Sequence, residues 1–156
     1  MATSLQIQGR EVILDDDVAE VARRMHMTVF LRGPRNEPRA YLSMITLSHY
    51  VCPVRQGYVV DHINGNPLDN RRENLQVITC RQNLMKKRTT KDPGVSKGVP
   101  GAFRYMAGPQ RYVQTRDLDV AHRGADAYRR SLGIRGMPLN FPEIGEHHWD
   151  GQERTQ

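Results

Sequence analysis

The sequence has little of what a membrane protein, a secreted disulfide scaffold or a zinc module requires. Its two cysteines, Cys52 and Cys80, stand alone and far apart, too few for a disulfide framework or a four-thiolate zinc site. No run approaches the roughly 20 apolar residues that a membrane span takes. The opening stretch MATSLQIQGREVILDDD has no basic segment leading into an apolar one, so nothing in it reads as a secretion signal and a cytoplasmic protein is expected. Aromatic residues make up only 6% of the 156 positions. Each folded unit must therefore be small, and the length admits one domain or two small ones but no large multidomain enzyme.

What the chain does have is positive charge, unevenly placed. The net +6 arises from six basic and six acidic residues over 1–50, nine and four over 51–97, and eight and seven over 98–156. All four lysines, Lys86, Lys87, Lys91 and Lys97, fall in the middle stretch beside Arg81 and Arg88. A patch of this kind suits phosphates, because each phosphate it neutralises releases condensed counterions. A solvated lysine-rich surface or a flexible tail would give the same composition.

Along the chain, Val12 to Leu14 read as a short strand, followed by Asp15 or Asp16 as the cap of a helix that sets Val18, Val21, Ala22 and Met25 on one face. Met27 to Arg32 and Arg39 to Met44 read as strands separated by the turn-forming GPRNEP. Ile45 to Val51 fits either a strand extension or a short helix. Tyr58, Val59 and Val60 are a β-prone run ending in Asp61 and His62. INGNPLDNRREN is then a polar loop, Leu75 to Ile78 a second short strand, and Thr79 with Gln82 a capping-box signature that opens a helix. TTKDPGVSKGVPG has a linker composition that resists regular structure. Val120 to Leu132 reads as a helix ended by Gly133, with Ala121, Ala125 and Tyr128 at helical spacing.

The run VVDHINGNPLDNRRENL followed by Thr79-Cys80-Arg81-Gln82-Asn83 resembles the signature of the HNH endonucleases of the homing and phage type. Upstream, VILDDD and Leu47-Ser48-His49-Tyr50 are similar to that branch's N-terminal region. Downstream, GADAYRR and GMPLNFPE look like the end of the AP2-like DNA-binding module often appended to these nucleases, although AFRYMAGPQRYVQTRDLDVAHRG keeps Phe103, Tyr105 and Tyr112 and lacks the usual tryptophans. The resemblance implies an α+β fold: a ββα-metal (HNH) core over 54–90, an N-terminal αβ region over 1–53 packing on it, a linker over 91–101, an AP2-like strand-helix segment over 102–143 and a flexible tail over 144–156.

Carried over residue by residue, the resemblance makes Asp61 and Asn83 metal ligands, His62 the general base that activates water, and Asn74 the asparagine that braces the loop and helps orient the histidine. One carboxylate and one amide suit Mg²⁺ or Mn²⁺, which prefer oxygen donors and keep several waters; zinc is not expected. Neighbouring residues on a strand end point to opposite sides, so Asp61 can face an ion while His62 faces a water. An imidazole near its ordinary pKa of about 6.5 is largely neutral at pH 7, as a base must be.

Double-stranded DNA is the implied partner of a monomer or homodimer with no membrane association, in a prokaryotic or phage-infected cell. The candidate contacts are Arg71, Arg72, Arg81, Lys86, Lys87, Arg88, Lys91, Lys97, Arg104 and Arg111. Asn64, Asn66 and Asn70 read as loop formers, and His26, His49 and His122 as structural residues. His147 and His148, beside Trp149, read as part of a frayed tail. Many family members have asparagine where this chain has Lys86. That departure motivates an alternative, a DNA-binding protein that kept the HNH fold and lost cutting; a third reading sets the basic patch against an acidic protein partner.

Overall fold

The computed structural model describes residues 1–32, 36–87 and 92–143. They divide into two compact units, Met1–Cys80 and the residues from Arg81 onward. Strands outnumber helices in both, in small antiparallel sheets, so the architecture is α+β.

The first unit opens with a hairpin. β1 (Ala2–Ile7) pairs antiparallel with β2 (Arg10–Asp15). The two residues between them, Gln8 at φ 52° and Gly9 at φ 76°, both take the positive angles that a two-residue turn needs to match strand twist. The expected strand at Val12–Leu14 is thus the middle of β2, and its partner β1 is an addition. α1 (Asp16–Arg24) follows with Asp15 at its N-cap position, yet the Asp15 side chain makes no capping bond; its carboxylate instead accepts from Arg72. α1 buries Val18, Ala19 and Ala22. Met25, expected on that face, lies past the helix end and is 44% exposed.

β3 (Met27–Arg32), β4 (Glu37–Leu42) and β5 (Ile45–Thr46) form a three-stranded sheet in that order. β4 begins and ends two residues before the Arg39–Met44 expected from sequence, because Ser43, at φ 56°, already turns the chain toward β5. Pro38 is tolerated inside β4 because β5 pairs only with Tyr41 and Leu42, leaving that flank of Pro38 outside the ladder. The open reading of 45–51 resolves into both alternatives, β5 and then α2 (Leu47–Val51). Val12, Leu14, Val18, Met27, Val29, Leu42 and Leu47 form the core, and Leu68 joins them from the polar loop.

β6 (Tyr58–His62) and β7 (Leu75–Thr79) make an antiparallel pair, with one 3₁₀ turn at Arg72–Asn74 leading into β7. α3 (Cys80–Lys87) starts at the last residue of the first unit and runs into the second.

In the second unit, β8 (Val95–Lys97), β9 (Phe103–Gly108) and β10 (Arg111–Thr115) form an antiparallel sheet with β9 in the centre. β8 corrects the reading of its stretch as a linker that resists regular structure. α4 (Leu118–Ser131) begins two residues earlier than expected. The Asp117 side chain sets that start by accepting from the backbone N–H groups of Asp119 and Val120 at 2.9 and 3.2 Å. Gly133, at φ 63°, follows the helix end in the left-handed conformation typical of helix stops. The Tyr105 ring lies against Gly124 of α4 so closely that a Cβ there would come within 2.2 Å of it. Buried Asp126 gathers the segment after the helix by accepting from Asn140 N, Asn140 Nδ2 and Phe141 N at 2.8–3.1 Å.

Candidate active site

β6 ends on Asp61 and His62, the residues nominated as metal ligand and general base. Asp61 stands opposite Gln76 of β7 in the ladder, and Gln76 Nε2 donates to Asp61 Oδ2 at 2.8 Å. The carboxylate is buried at 8% exposure, so the strand pair fixes its orientation while keeping it largely from water. His62, the next residue, is half-buried. Burial is the main force on its imidazole and pushes the pKa below the ordinary value, against the Asn70 hydrogen bond and the Asp61 and Asp69 carboxylates, which pull it up; the Arg39 charge adds to the lowering. The ring is therefore neutral at pH 7 and able to accept a proton.

The loop after β6 is built almost wholly from side-chain amides and carboxylates. Asn64 Oδ1 accepts from Asn66 N, and Asn66 Oδ1 accepts from Leu68 N, at 2.9 and 3.0 Å. These are the local bonds that make asparagine a turn former. Asn74 spans the loop. Its Oδ1 accepts from Asn64 N at 3.0 Å, and its Nδ2 donates to Asn64 Oδ1 and to the Asp69 carbonyl at 3.0 and 2.8 Å. Its own carbonyl accepts from Ile63 N at 2.8 Å, which ties down the chain just past His62. Asp69 is buried, and its carboxylate takes Arg71 Nε and Nη2 in a fork, both at 2.8 Å, together with Asn64 Nδ2 at 2.9 Å. The Arg71 guanidinium holds the Asp69 carboxyl below the usual carboxylate range.

Arg71 and Arg72 thus pair their guanidinium groups with carboxylates of the protein itself. Arg71 binds Asp69 and Glu73, and Arg72 binds Asp15 and Asp17 at 2.7–3.0 Å. Asn83 lies in the first turns of α3, and its Oδ1 is buried with no hydrogen-bond partner among the described residues. A buried amide oxygen without a donor is costly and has the chemistry of a hard-cation ligand. Among the described residues, no three His, Cys, Asp or Glu side chains converge on one point as a metal-holding group.

The other nominated residues separate by location. Arg81 is exposed and Lys86 half-buried on α3. Arg88, Lys91, the Lys87 side chain and His147, His148 and Trp149 lie outside the described residues. On the second unit's sheet, Arg104 is exposed and its guanidinium stacks 4.7 Å over the Tyr112 ring. Arg104 shares a cross-strand row with Ser96 and Gln114. Arg111 is exposed at the start of β10. Lys97, one residue past Ser96, alternates to the opposite face.

Sequence reasoning missed Gln76, whose pairing with Asp61 needs the strand register, and it placed Asn70 among the loop formers. The structure puts Asn70 Oδ1 3.3 Å from His62 Nε2.

A model of the HNH endonuclease family matches residues 48–85, which span β6, the loop, β7 and α3 as far as Met85. No curated protein matches the chain, and no solved structure does. Nothing in these comparisons supports the AP2 likeness of the C-terminal segment. No helix among the described residues is long and apolar enough to cross a membrane.

Proposed function

We propose that the chain is a metal-dependent endonuclease that hydrolyses DNA phosphodiesters to 5′-phosphate and 3′-hydroxyl ends. The observation that carries this reading is half-buried His62 beside buried Asp61 at the end of β6, inside the stretch that matches the HNH family model. His62 takes the proton of the attacking water. Asp61 and Asn83 would hold the divalent ion, and the unpartnered Asn83 Oδ1 fits that duty. A bound Mg²⁺ or Mn²⁺ supplies Lewis-acid charge for the phosphoryl oxygen and the leaving 3′ oxygen. Gln76 and Asn74 keep Asp61 and the chain after His62 in place.

DNA binding in this proposal falls to Arg81, Lys86, Lys87, Arg88 and Lys91 at the helix and its exit, with the Arg104–Tyr112 pair and Arg111 on the second sheet as an AP2-like contact surface. Arg71 and Arg72, paired with Asp69, Asp15 and Asp17, complete the nominated set. A phage or mobile-element origin is part of the same reading, through the resemblance.

The test is nicking of supercoiled plasmid across a Mg²⁺, Mn²⁺ and EDTA series, with His62→Ala beside the wild type. Ion-dependent nicking is expected, and the variant should bind DNA normally while cleaving about 10²- to 10⁴-fold more slowly, as loss of a general base does. DNA binding without cleavage in any ion would leave the inactive DNA-binding alternative standing in its place.

A further inference from the structure

An asparagine in a polar loop ordinarily leaves its amide in water, yet Asn70 is only 1% exposed. Its Nδ2 donates to the Pro67 carbonyl at 3.4 Å, which fixes the amide's orientation and turns Oδ1 toward His62 Nε2 at 3.3 Å. An amide oxygen can only accept. The hydrogen between them therefore belongs to Nε2, and in a neutral imidazole the basic lone pair then sits on Nδ1.

The position of Asn70 is set from outside the loop. Ile13 of β2 donates its N–H to the Leu68 carbonyl at 2.9 Å and accepts from Asn70 N at 2.8 Å, a single parallel bridge centred on Asp69. Leu68 is anchored in the same core as Val12 and Leu14, the residues flanking Ile13. The strand that presents Ile13 thereby delivers Asn70 to the histidine. Asn74 cannot share this duty through its side chain, whose amide is taken up by Asn64 and the Asp69 carbonyl.

We infer that Asn70, registered by the Ile13 backbone, is the positioning residue that locks His62 in its Nε2–H tautomer and makes Nδ1 the proton-accepting atom. The catalytic meaning of this lock rests on the nuclease reading above, whereas the tautomer itself does not.

The experiment therefore reads both. Long-range ¹H–¹⁵N correlation spectra of the full chain, at a pH where imidazole is neutral, should show His62 protonated on Nε2. Asn70→Ala should lose that preference, and its single-turnover cleavage of bound DNA should fall about 10- to 100-fold with unchanged DNA affinity. Asn70→Asp, which keeps an acceptor oxygen, should restore the tautomer and most of the rate. An Nδ1–H tautomer in the wild type overturns the inference, as does an unchanged tautomer in folded Asn70→Ala. If Asn70→Ala does not fold, the wild-type and Asn70→Asp spectra decide. A wild type that shows the Nε2–H tautomer, loses that preference in Asn70→Ala and cuts no DNA upholds the lock and sinks the nuclease reading alone.

Discussion

Two irregular segments of this protein are organised in the same way and to different ends. In the first unit the loop after β6 wraps around the buried carboxylate of Asp69; in the second, the stretch after α4 wraps around the buried carboxylate of Asp126. Asp126 is satisfied by neutral donors, the backbone and side-chain N–H groups of Asn140 and the N–H of Phe141. Asp69 is matched by a guanidinium fork, and its network continues through Asn64 to Asn74. The Asp126 cluster closes a fold, and it ends on Pro93 through Asn140 Nδ2. The Asp69 cluster fixes the chain that follows His62, the residue proposed as general base, whose role would depend on precise placement.

The sharpest way to break this comparison is to replace both carboxylates isosterically. Asp126→Asn turns an amide N–H against donors that need an acceptor and should cost the second unit about 2–4 kcal/mol, seen as a lower thermal midpoint, with cleavage by the molecules that remain folded unchanged. Asp69→Asn should lose stability too, and in addition should lower single-turnover cleavage at least about tenfold. Equal cleavage losses in the two variants would remove the distinction between them.

A smaller effect sharpens the contrast within the second unit, where shape as well as polarity closes the fold. Gly124→Ala would place a methyl against the Tyr105 ring and should cost about 1–3 kcal/mol as overpacking. Tyr105→Leu in the same chain should recover part of it in denaturant titrations, and an unaffected midpoint in the single variant would show that α4 has room to shift.

The smallest effect concerns the outer tie of the loop. Arg72 holds the Asp17 carboxyl down to about 2 from an ordinary 3.8. A depressed carboxyl stabilises the fold above its unfolded value and loses that contribution as pH falls through the folded one. Arg72→Gln should therefore be less stable than wild type at pH 5 and above, and the gap should close as pH drops from 3.8 toward about 2. A gap of constant size across that window would show that the Arg72 effect does not come from its carboxylate partners Asp15 and Asp17, both of which lose their charge in acid.

The elements that carry the candidate site were legible because their signals are local. Tyr58–His62, the Asn-rich loop, Leu75–Thr79 and the helix opening at Cys80 each announce themselves in a few residues, and the structure moves their boundaries by a residue or two. β1 was not legible. ATSLQI offers only Leu5 and Ile7 as alternating apolar positions, and its strand character comes from pairing with β2. β8 hides for the same reason inside a Gly- and Lys-rich stretch, where Val95 and Lys97 become strand residues by pairing with Tyr105 and Phe103. Asn70 is the instructive case. Its residue type and neighbours describe a turn former, and nothing nearby says that a carbonyl far upstream will draw it inside. The paired states of Arg71 and Arg72 were equally hidden, because charge composition cannot tell an arginine that faces phosphate from one that faces Asp69 or Asp15.

The Ile13 bridge also bears on how portable this motif is. The stretch that matches the HNH family starts at Ser48, well after the strand whose backbone sets the loop's register. A graft of that stretch onto another scaffold would carry Asp61, His62 and every asparagine of the loop, and would leave behind the two main-chain bonds that seat Asn70. The transplant would look complete in an alignment and would have lost its mould. Any recombination that moves this motif with its function intact must bring along an upstream strand, or rebuild its main-chain edge from the host.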